Sequence, residues 1–273
     1  MIVAKSVLDL RSHLQESTKS IGFIPTMGAL HEGHIALIKE AKKQNDLVVV
    51  SIFVNPTQFL AGEDFELYPR KDEADKEICR FVGVDLLFMP QVNEIYSQDE
   101  CFIEAPKMRG YILEGHSRAG HFSGVLTVVL KLLNIVKPSR AYFGKKDAQQ
   151  LYLITQMCKS LFLDVEIVPC EIVRGKDTLA LSSRNAYLSK DERTEALKIP
   201  RSLMVATNLV KNGTLDCKII EEKMRETLKP LEVEYAVVVD RNLNKLEQVK
   251  IGNSIILVEA KVGTTRLLDN IWI

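Results

Sequence analysis

Two histidines, His31 and His34, stand three positions apart after a short run of apolar residues. The run Ile21–Thr26 predicts a strand and the apolar spacing after His34 predicts a helix, so the histidines fall at a strand-to-helix turn. A helix N-terminus offers N–H groups and a positive dipole end to phosphate, and Gly28 and Gly33 would let a nucleotide approach the backbone closely. Two imidazoles on one face of a helical turn could hydrogen-bond to a phosphate or, when protonated, attract the charge of a pentavalent phosphorus. The segment therefore predicts a nucleotide site, and the alternatives are a metal site that lacks a third ligand at the usual spacing or incidental surface histidines.

A second turn of the same kind joins the predicted strand Arg140–Phe143 to the predicted helix Ala148–Leu161. Gly144 permits an unusual backbone angle or close ligand contact. Lys146 could hold a phosphate as a point charge. Asp147 could serve the same site, although an N-cap of the following helix is the more ordinary role for this residue type.

Consecutive hydroxyls followed by a guanidinium occur at Ser182, Ser183 and Arg184. Two hydroxyl donors and a bidentate fork make a plausible phosphate clamp. A polar turn that caps the next helix is an equally good interpretation of these three residues.

Gln58 follows the turn signal Asn55–Pro56, directly after a long apolar run. Its uncharged amide at the end of a strand would suit a hydroxyl or carboxylate ligand. Arg118 lies in a separate loop that leads into an apolar helix.

The elements that must position these residues alternate between strand and helix in the first two thirds of the chain. The continuous β-branched run Leu47–Val54 is typical of a strand in a parallel sheet that is covered on both faces. The other predicted elements are strands at Ile21–Thr26, Val84–Phe88, Arg140–Phe143 and Val165–Val168, and helices after His34 and at Asp72–Phe81, Phe122–Lys137 and Ala148–Leu161. This alternation predicts an α/β fold with a doubly wound parallel sheet.

Beyond about Ile172 the order of elements changes. Two helices are predicted in succession, Lys190–Val210 and Leu215–Leu228, and two strands follow them, Val233–Val239 and Ser254–Glu259. This is an α+β order, and a polar joint at residues 174–177 separates it from the rest. We therefore predict a larger domain over residues 1–173 and a smaller one over 174–273.

Composition excludes several classes of protein. Lys+Arg and Asp+Glu number 36 each, so the formal net charge is zero and a general nucleic-acid binder is not expected. The five cysteines are scattered without a C-x-x-C pair, which predicts buried free thiols in a reducing compartment. Because the chain shows no export signal and no apolar stretch long enough to span a bilayer, we expect a cytoplasmic protein without a membrane partner.

Taken together, these motifs resemble the pantothenate synthetase (pantoate–β-alanine ligase) family, and the resemblance runs over nearly the whole chain. It implies a Rossmann-like nucleotidyltransferase domain of the HIGH superfamily, a smaller C-terminal lid domain and a homodimer. It also implies that ATP and Mg²⁺ are used, that pantoate and β-alanine are the substrates, and that a pantoyl-adenylate forms on the enzyme.

The resemblance also assigns roles to residues. It implies an ATP site lined by Met27, Gly28, Ala29, Leu30, His31, Glu32, Gly33, His34, Gly144, Lys145, Lys146, Asp147, Val173, Leu181, Ser182, Ser183 and Arg184. Among these, catalytic roles fall to His34, His31, Lys146, Ser182, Ser183 and Arg184. Gln58, Gln150 and Arg118 would bind the acid substrate. Mg²⁺ would be held mainly by the ATP phosphates, with no metal site built by the protein.

Two positions depart from the family pattern. Lys145 stands where the family usually has Glu, which puts an extra positive charge close to the phosphates, and Ala119 stands where it usually has Pro. Three other activities could use a related fold: a nucleotidyltransferase that stops after moving a nucleotide onto a phosphate, an enzyme similar to an aminoacyl-tRNA synthetase, and a nucleotide-sensing protein without catalysis. Zero net charge and the lack of room for a tRNA-reading domain disfavour the second, and the joint presence of the predicted site residues disfavours the third.

Overall fold

The computed structural model describes residues 1–14 and 19–273, which divide into two compact units. One unit comprises residues 1–145 and 153–171, and the other comprises residues 146–152 and 172–273. The short segment 146–152 thus belongs with the C-terminal residues. The domain boundary at residue 173 stays a prediction.

The first unit is built on a six-stranded sheet in the order β1-β4-β3-β2-β5-β6, and every neighbouring pair is parallel. Its strands are β1 (Ile2–Ala4), β2 (Ile21–Thr26), β3 (Leu47–Ile52), β4 (Leu86–Phe88), β5 (Arg140–Gly144) and β6 (Glu166–Cys170). The chain winds from β2 through β3 to β4 in one direction, then returns to β5 on the other side of β2. The predicted doubly wound sheet is confirmed, and the order reverses between β2 and β5, where ligands bind in open α/β sheets.

Helices connect these strands. They are α1 (Val7–Leu14), α2 (Glu32–Gln44), α3 (Asp72–Val82), α4 (Val92–Ile95), α5 (Glu114–Ser117), α6 (His121–Val136) and α7 (Ala148–Ser160), with a 3₁₀ turn at Pro56–Gln58. Residues of β2, β3, α2 and α3 bury one continuous apolar cluster, which includes Ile24, Ile38, Val50 and Cys79. The strand predicted over Leu47–Val54 ends two residues early, because the turn that carries Gln58 begins at Pro56.

The second unit contains an antiparallel sheet of β7 (Glu232–Asp240), β8 (Ser254–Val262) and β9 (Thr265–Trp272), and helices α8 (Lys190–Ala196), α9 (Lys198–Lys211) and α10 (Cys217–Leu228). The α+β character of this part is confirmed. The single helix predicted over Lys190–Val210 is wrong: it is two helices that meet at Leu197, and Pro200 in the first turn of α9 has no N–H with which to continue α8. The strand β9 was missed.

All five cysteines are free, and four of them are buried as predicted, but Cys101 is exposed. Among the helices of residues 1–14 and 19–273, none is both long and apolar enough to cross a membrane.

Candidate active site

The loop that follows β2 has an unusual backbone. Gly28 and Ala29 both adopt positive φ angles, of 87° and 50°. The hydroxyl of Thr26 accepts the N–H of Gly28 at 3.2 Å and donates to the carbonyl of Ser51 at 2.7 Å, which ties the start of the loop to β3. A left-handed conformation at an alanine costs free energy, so a neighbouring group must hold the loop in place.

Asp75, in the first turn of α3, is that group. Its two carboxylate oxygens accept the N–H groups of Ala29 and Leu30, each at 2.8 Å. The residue is 1% exposed. Burial raises the pKa of its carboxyl, and the two backbone hydrogen bonds oppose that shift. Sequence reasoning missed Asp75, because one acidic residue among several at the start of a charged helix gives no signal of its own.

The two histidines form the start of α2. His31 is the N-cap, with extended backbone, and its Nδ1 accepts the N–H of Gly33 at 3.1 Å. The Nδ1 of His34 accepts the N–H of His31 at 3.3 Å. The prediction that both lie on a helical turn is therefore wrong for His31, which precedes the helix. The two rings nevertheless lie together, with centroids 4.2 Å apart.

This arrangement fixes where the ring protons lie. Because each Nδ1 accepts a backbone N–H, each neutral imidazole carries its proton on Nε2. A side chain at Gly33 would disrupt the pair, since a Cβ there would lie 2.7 Å from Cε1 of His31. The turn thus combines two imidazole donors with the positive end of a 13-residue helix, a combination suited to an anion.

The oxygen and the nitrogen of the Gln58 side-chain amide each have a hydrogen-bond partner. Its Oε1 accepts from Nδ2 of Asn55 at 3.1 Å, and its Nε2 donates to Sδ of Met27 at 3.1 Å. Asn55 is 1% exposed and also accepts the hydroxyl of Tyr96 at 2.8 Å. The helix α6 reaches this turn through Gly124, where a Cβ would lie only 2.2 Å from the carbonyl oxygen of Thr57. The structure therefore brings Gln58 and Met27 together.

Arg118 is engaged with an internal carboxylate. Its Nε and Nη2 donate to the two oxygens of Glu63 at 2.7 and 2.6 Å, and Arg118 is 8% exposed. The Nδ1 atom of His121 lies 2.7 Å from the carbonyl oxygen of Gln58. Because a carbonyl can only accept, that nitrogen of His121 carries a proton. These contacts anchor the backbone at Gln58, and the substrate-binding role of Arg118 stays a prediction.

The extra charge at Lys145 is paired. Its ammonium forms an ion pair with Glu171, which directly follows the neighbouring strand β6. The backbone N–H of Lys145 donates to the carbonyl of Cys170 at 2.8 Å. The departure from the family pattern is thus compensated locally.

The predicted site residues that belong to the second unit lie in two segments. In the first, Lys146 Nζ lies 3.6 Å from a carboxylate oxygen of Asp147, one residue before α7, and Gln150 lies in the first turn of that helix. In the second, the N–H of Leu181 donates to the carbonyl of Val173 at 3.0 Å, which closes a hairpin.

The hairpin leads into the hydroxyl pair. Ser182 caps the 3₁₀ turn Ser183–Tyr187, and its Oγ accepts the N–H of Arg184 at 3.3 Å. The capping interpretation is therefore confirmed for Ser182, and the phosphate clamp stays a prediction. Within residues 1–14 and 19–273, no three His, Cys, Asp or Glu side chains cluster closely enough to hold a metal ion.

The chain is similar to known proteins over its whole length. Residues 2–272 match the family model described as pantoate-beta-alanine ligase. The pantothenate synthetase of Sulfurimonas denitrificans is 62% identical and that of Campylobacter fetus subsp. fetus 57% identical, each over 273 residues and covering 100% of both chains.

Solved structures of pantothenate synthetases are also similar to this chain. The pantothenate synthetase of Thermus thermophilus superposes with a TM-score of 0.95 at 38% identity, and the match covers 99% of each chain. The pantoate-beta-alanine ligase of Francisella tularensis, complexed with beta-gamma ATP and beta-alanine, superposes with a TM-score of 0.83 at 39% identity and covers 100% of this chain and 97% of its own.

Proposed function

Because the chain belongs to the pantoate–β-alanine ligase family, we propose that it joins pantoate to β-alanine at the expense of ATP, through a pantoyl-adenylate. The names of its relatives and the ATP and β-alanine complex of the Francisella tularensis ligase support a ligase of this kind. The observation that carries the mechanism is the histidine pair at the start of α2, with both ring protons on Nε2.

In the first step, a carboxylate oxygen of pantoate attacks the α-phosphorus of ATP, and the bond to the leaving pyrophosphate breaks. The carboxylate is already ionised, so the step needs no general base. It needs alignment of the two reactants and donors for the negative charge that builds up on the phosphoryl oxygens.

The residues that the resemblance assigns to the site are proposed for this work. His34 and His31 would donate from Nε2, and Lys146 and Arg184 would supply positive charge, with hydroxyl donors from Ser182 and Ser183. Gln58 and Gln150 would bind pantoate, and Gln58 has its amide orientation fixed by Asn55 and Met27. Mg²⁺ would enter on the ATP phosphates and neutralise part of their charge.

In the second step, the amine of β-alanine attacks the acyl carbonyl of the adenylate, and the C–O bond to AMP breaks. The amine proton is lost as the amide forms, and pantothenate and AMP leave. The adenylate must be protected from water between the two steps.

The test is pantoate-dependent exchange of labelled pyrophosphate into ATP without β-alanine. Exchange is expected, and added β-alanine should then yield pantothenate and AMP. No exchange, but AMP formation when both substrates are present, would mean that adenylation waits for β-alanine. Absence of both reactions would overturn the proposal and favour a nucleotidyltransferase that stops after nucleotide transfer.

Two further properties are proposed on the resemblance alone. We propose a homodimer, which sedimentation equilibrium would distinguish from a monomer of 30.8 kDa. We also propose a cytoplasmic location, which cell fractionation would test.

A further inference from the structure

The C-terminal strand β9 carries two buried polar residues in its middle, Asp269 and Asn270. They are 2% and 1% exposed. A buried carboxylate beside a buried amide is costly unless both are hydrogen-bonded. The hydrogen-bond partners of these two residues therefore indicate the role of the pair.

Asn270 is fixed through its backbone and its side chain. Its N–H donates to the Asp269 carboxylate at 2.8 Å, and its carbonyl accepts from Nη2 of Arg174 at 3.2 Å. Its Oδ1 accepts the indole N–H of Trp272 at 2.9 Å. The two backbone contacts hold the residue in place, and the contact of Oδ1 with Trp272 sets the orientation of the side-chain amide and of its Nδ2.

That Nδ2 donates to the backbone carbonyl of Lys146 at 2.8 Å. The two residues are 124 positions apart in the chain. Lys146 and Asn270 both belong to the second unit. A strand at the C-terminus thus holds the backbone of the lysine for which a phosphate-binding role is proposed.

The ion pair between Arg174 and Asp269 stabilises the part of β9 that makes the contact between Asn270 and Lys146. Arg174 donates to both oxygens of Asp269, at 2.5 and 2.9 Å, and also to the carbonyl of Thr178 at 3.2 Å. Such a bidentate pair is geometrically specific. It ties β9 to the hairpin that leads into Ser182.

We propose that Asn270 is a positioning residue for catalysis: it fixes the backbone of Lys146, and the Arg174–Asp269 pair fixes Asn270. The proposal rests on the proposed function of Lys146. Asn270 makes and breaks no bond in this proposal, and its effect is steric and electrostatic. If the backbone of Lys146 is displaced, the lysine ammonium no longer meets the charge that develops in adenylation. A small displacement of a well-placed group costs up to about 100-fold in rate.

The test is a double-mutant cycle on pyrophosphate exchange with Asn270→Asp and Lys146→Ala. Asn270→Asp keeps the shape of the side chain but turns a carboxylate oxygen toward the Lys146 carbonyl, so that two acceptors face each other. We expect the exchange rate at saturating substrates to fall about 10- to 100-fold, with the KM for pantoate unchanged. In the Lys146→Ala background the same change is expected to cost less than about twofold, because the side chain that it positions is gone.

Ser254→Ala is the matched control. Ser254 is buried on β8 and accepts the N–H of Lys250 at 2.8 Å, so its loss removes a buried hydrogen bond from the same sheet without touching Lys146. It should keep the wild-type exchange rate. Thermal unfolding of every variant shows which of them fold, and Asn270→Ser serves as a second variant if Asn270→Asp does not.

Each outcome is decisive. Equal costs of Asn270→Asp with and without the Lys146 side chain would overturn the proposal, and so would failure of both Asn270 variants to fold, since either result assigns the residue a structural role. Absence of exchange in the wild-type enzyme, with no AMP formed from both substrates, would instead overturn the proposed function.

Discussion

The carboxylate of Asp75 accepts the backbone N–H of Ala29 at 2.8 Å, across 46 positions of the chain. Its second oxygen accepts the next N–H along, that of Leu30. A single side chain on α3 therefore holds the strained turn that leads from β2 to the histidine pair. The shape of the turn therefore depends on a residue outside it.

Replacing Asp75 by Asn should both destabilise the protein and slow adenylation. The amide keeps one acceptor but places an NH₂ group against a backbone N–H, which leaves a buried donor unsatisfied at a cost of about 1–3 kcal/mol. Urea unfolding and pyrophosphate exchange would measure the two effects. Asp72→Asn, an exposed change in the same turn of α3, is the control. An Asp75→Asn variant as stable and as active as the wild type would remove Asp75 from this role.

Replacing His34 by Ala should reduce the rate of adenylate formation by about two orders of magnitude or more, as is typical when one electrostatic donor is removed. The substitution deletes the Nε2–H donor and also leaves the N–H of His31 without the acceptor that it has at 3.3 Å. Rapid-quench measurement of the first turnover isolates this step. Lys39→Ala, on an exposed position of α2, should react at the wild-type rate. Near-normal adenylation without His34 would exclude it from the mechanism.

Replacing Gln58 by Ala should chiefly weaken pantoate binding. The amide of Gln58 is oriented by Asn55 and Met27, and its loss removes an oriented polar contact rather than charge. We therefore expect a higher KM for pantoate with little change in the KM for ATP. Initial rates over a range of pantoate concentrations test this, with the exposed Gln91→Ala as control. An unaltered dependence on pantoate would contradict the assignment.

The sequence predicts the parallel sheet well because its strands are recognisable as apolar, β-branched runs. The β-branched run at Leu47–Ile52 needs burial on both faces, and only a sheet covered by helices provides that. The strand β9 has no such signal, since the polar pair Asp269–Asn270 interrupts its apolar alternation. The pair is buried because each member has polar partners, and two of those partners, Arg174 and Lys146, lie far away in the chain.

The site residues that could be predicted from the sequence differ from those that could not in what their side chains contact. Residues that are proposed to offer a side chain to a ligand, such as His34 and Lys146, stand in recognisable turns. Asp75 and Asn270 act on backbone groups of distant segments, so neither residue type nor spacing identifies them. The position of His31 as an N-cap was also missed, because Ser, Thr, Asp and Asn are the usual caps.

The ion pair of Glu63 and Arg118 leads to a prediction about acid stability. Burial raises the pKa of the Glu63 carboxyl, but hydrogen bonds from Arg118 and from the N–H of Leu60 outweigh it, and the pKa falls from 4.5 to about 2. A lowered pKa in the folded state means that the unfolded chain binds the proton more tightly. The pair therefore contributes its full stability above pH 4.5 and loses it as the pH falls toward about 2.

Glu63→Gln should reveal this contribution. At pH 7 the variant leaves a buried guanidinium without its carboxylate, and we expect a loss of about 3 kcal/mol in the free energy of unfolding. The difference between wild type and variant should shrink as the pH is lowered below 4.5, because the Glu63 carboxyl of the unfolded wild-type chain then becomes protonated, whereas that of the folded protein stays ionised until the pH approaches about 2. Urea unfolding at a series of pH values measures it, with Glu66→Gln, an exposed change in the same loop, as control. A difference that stays constant across this range would mean that the ionised pair does not stabilise the fold.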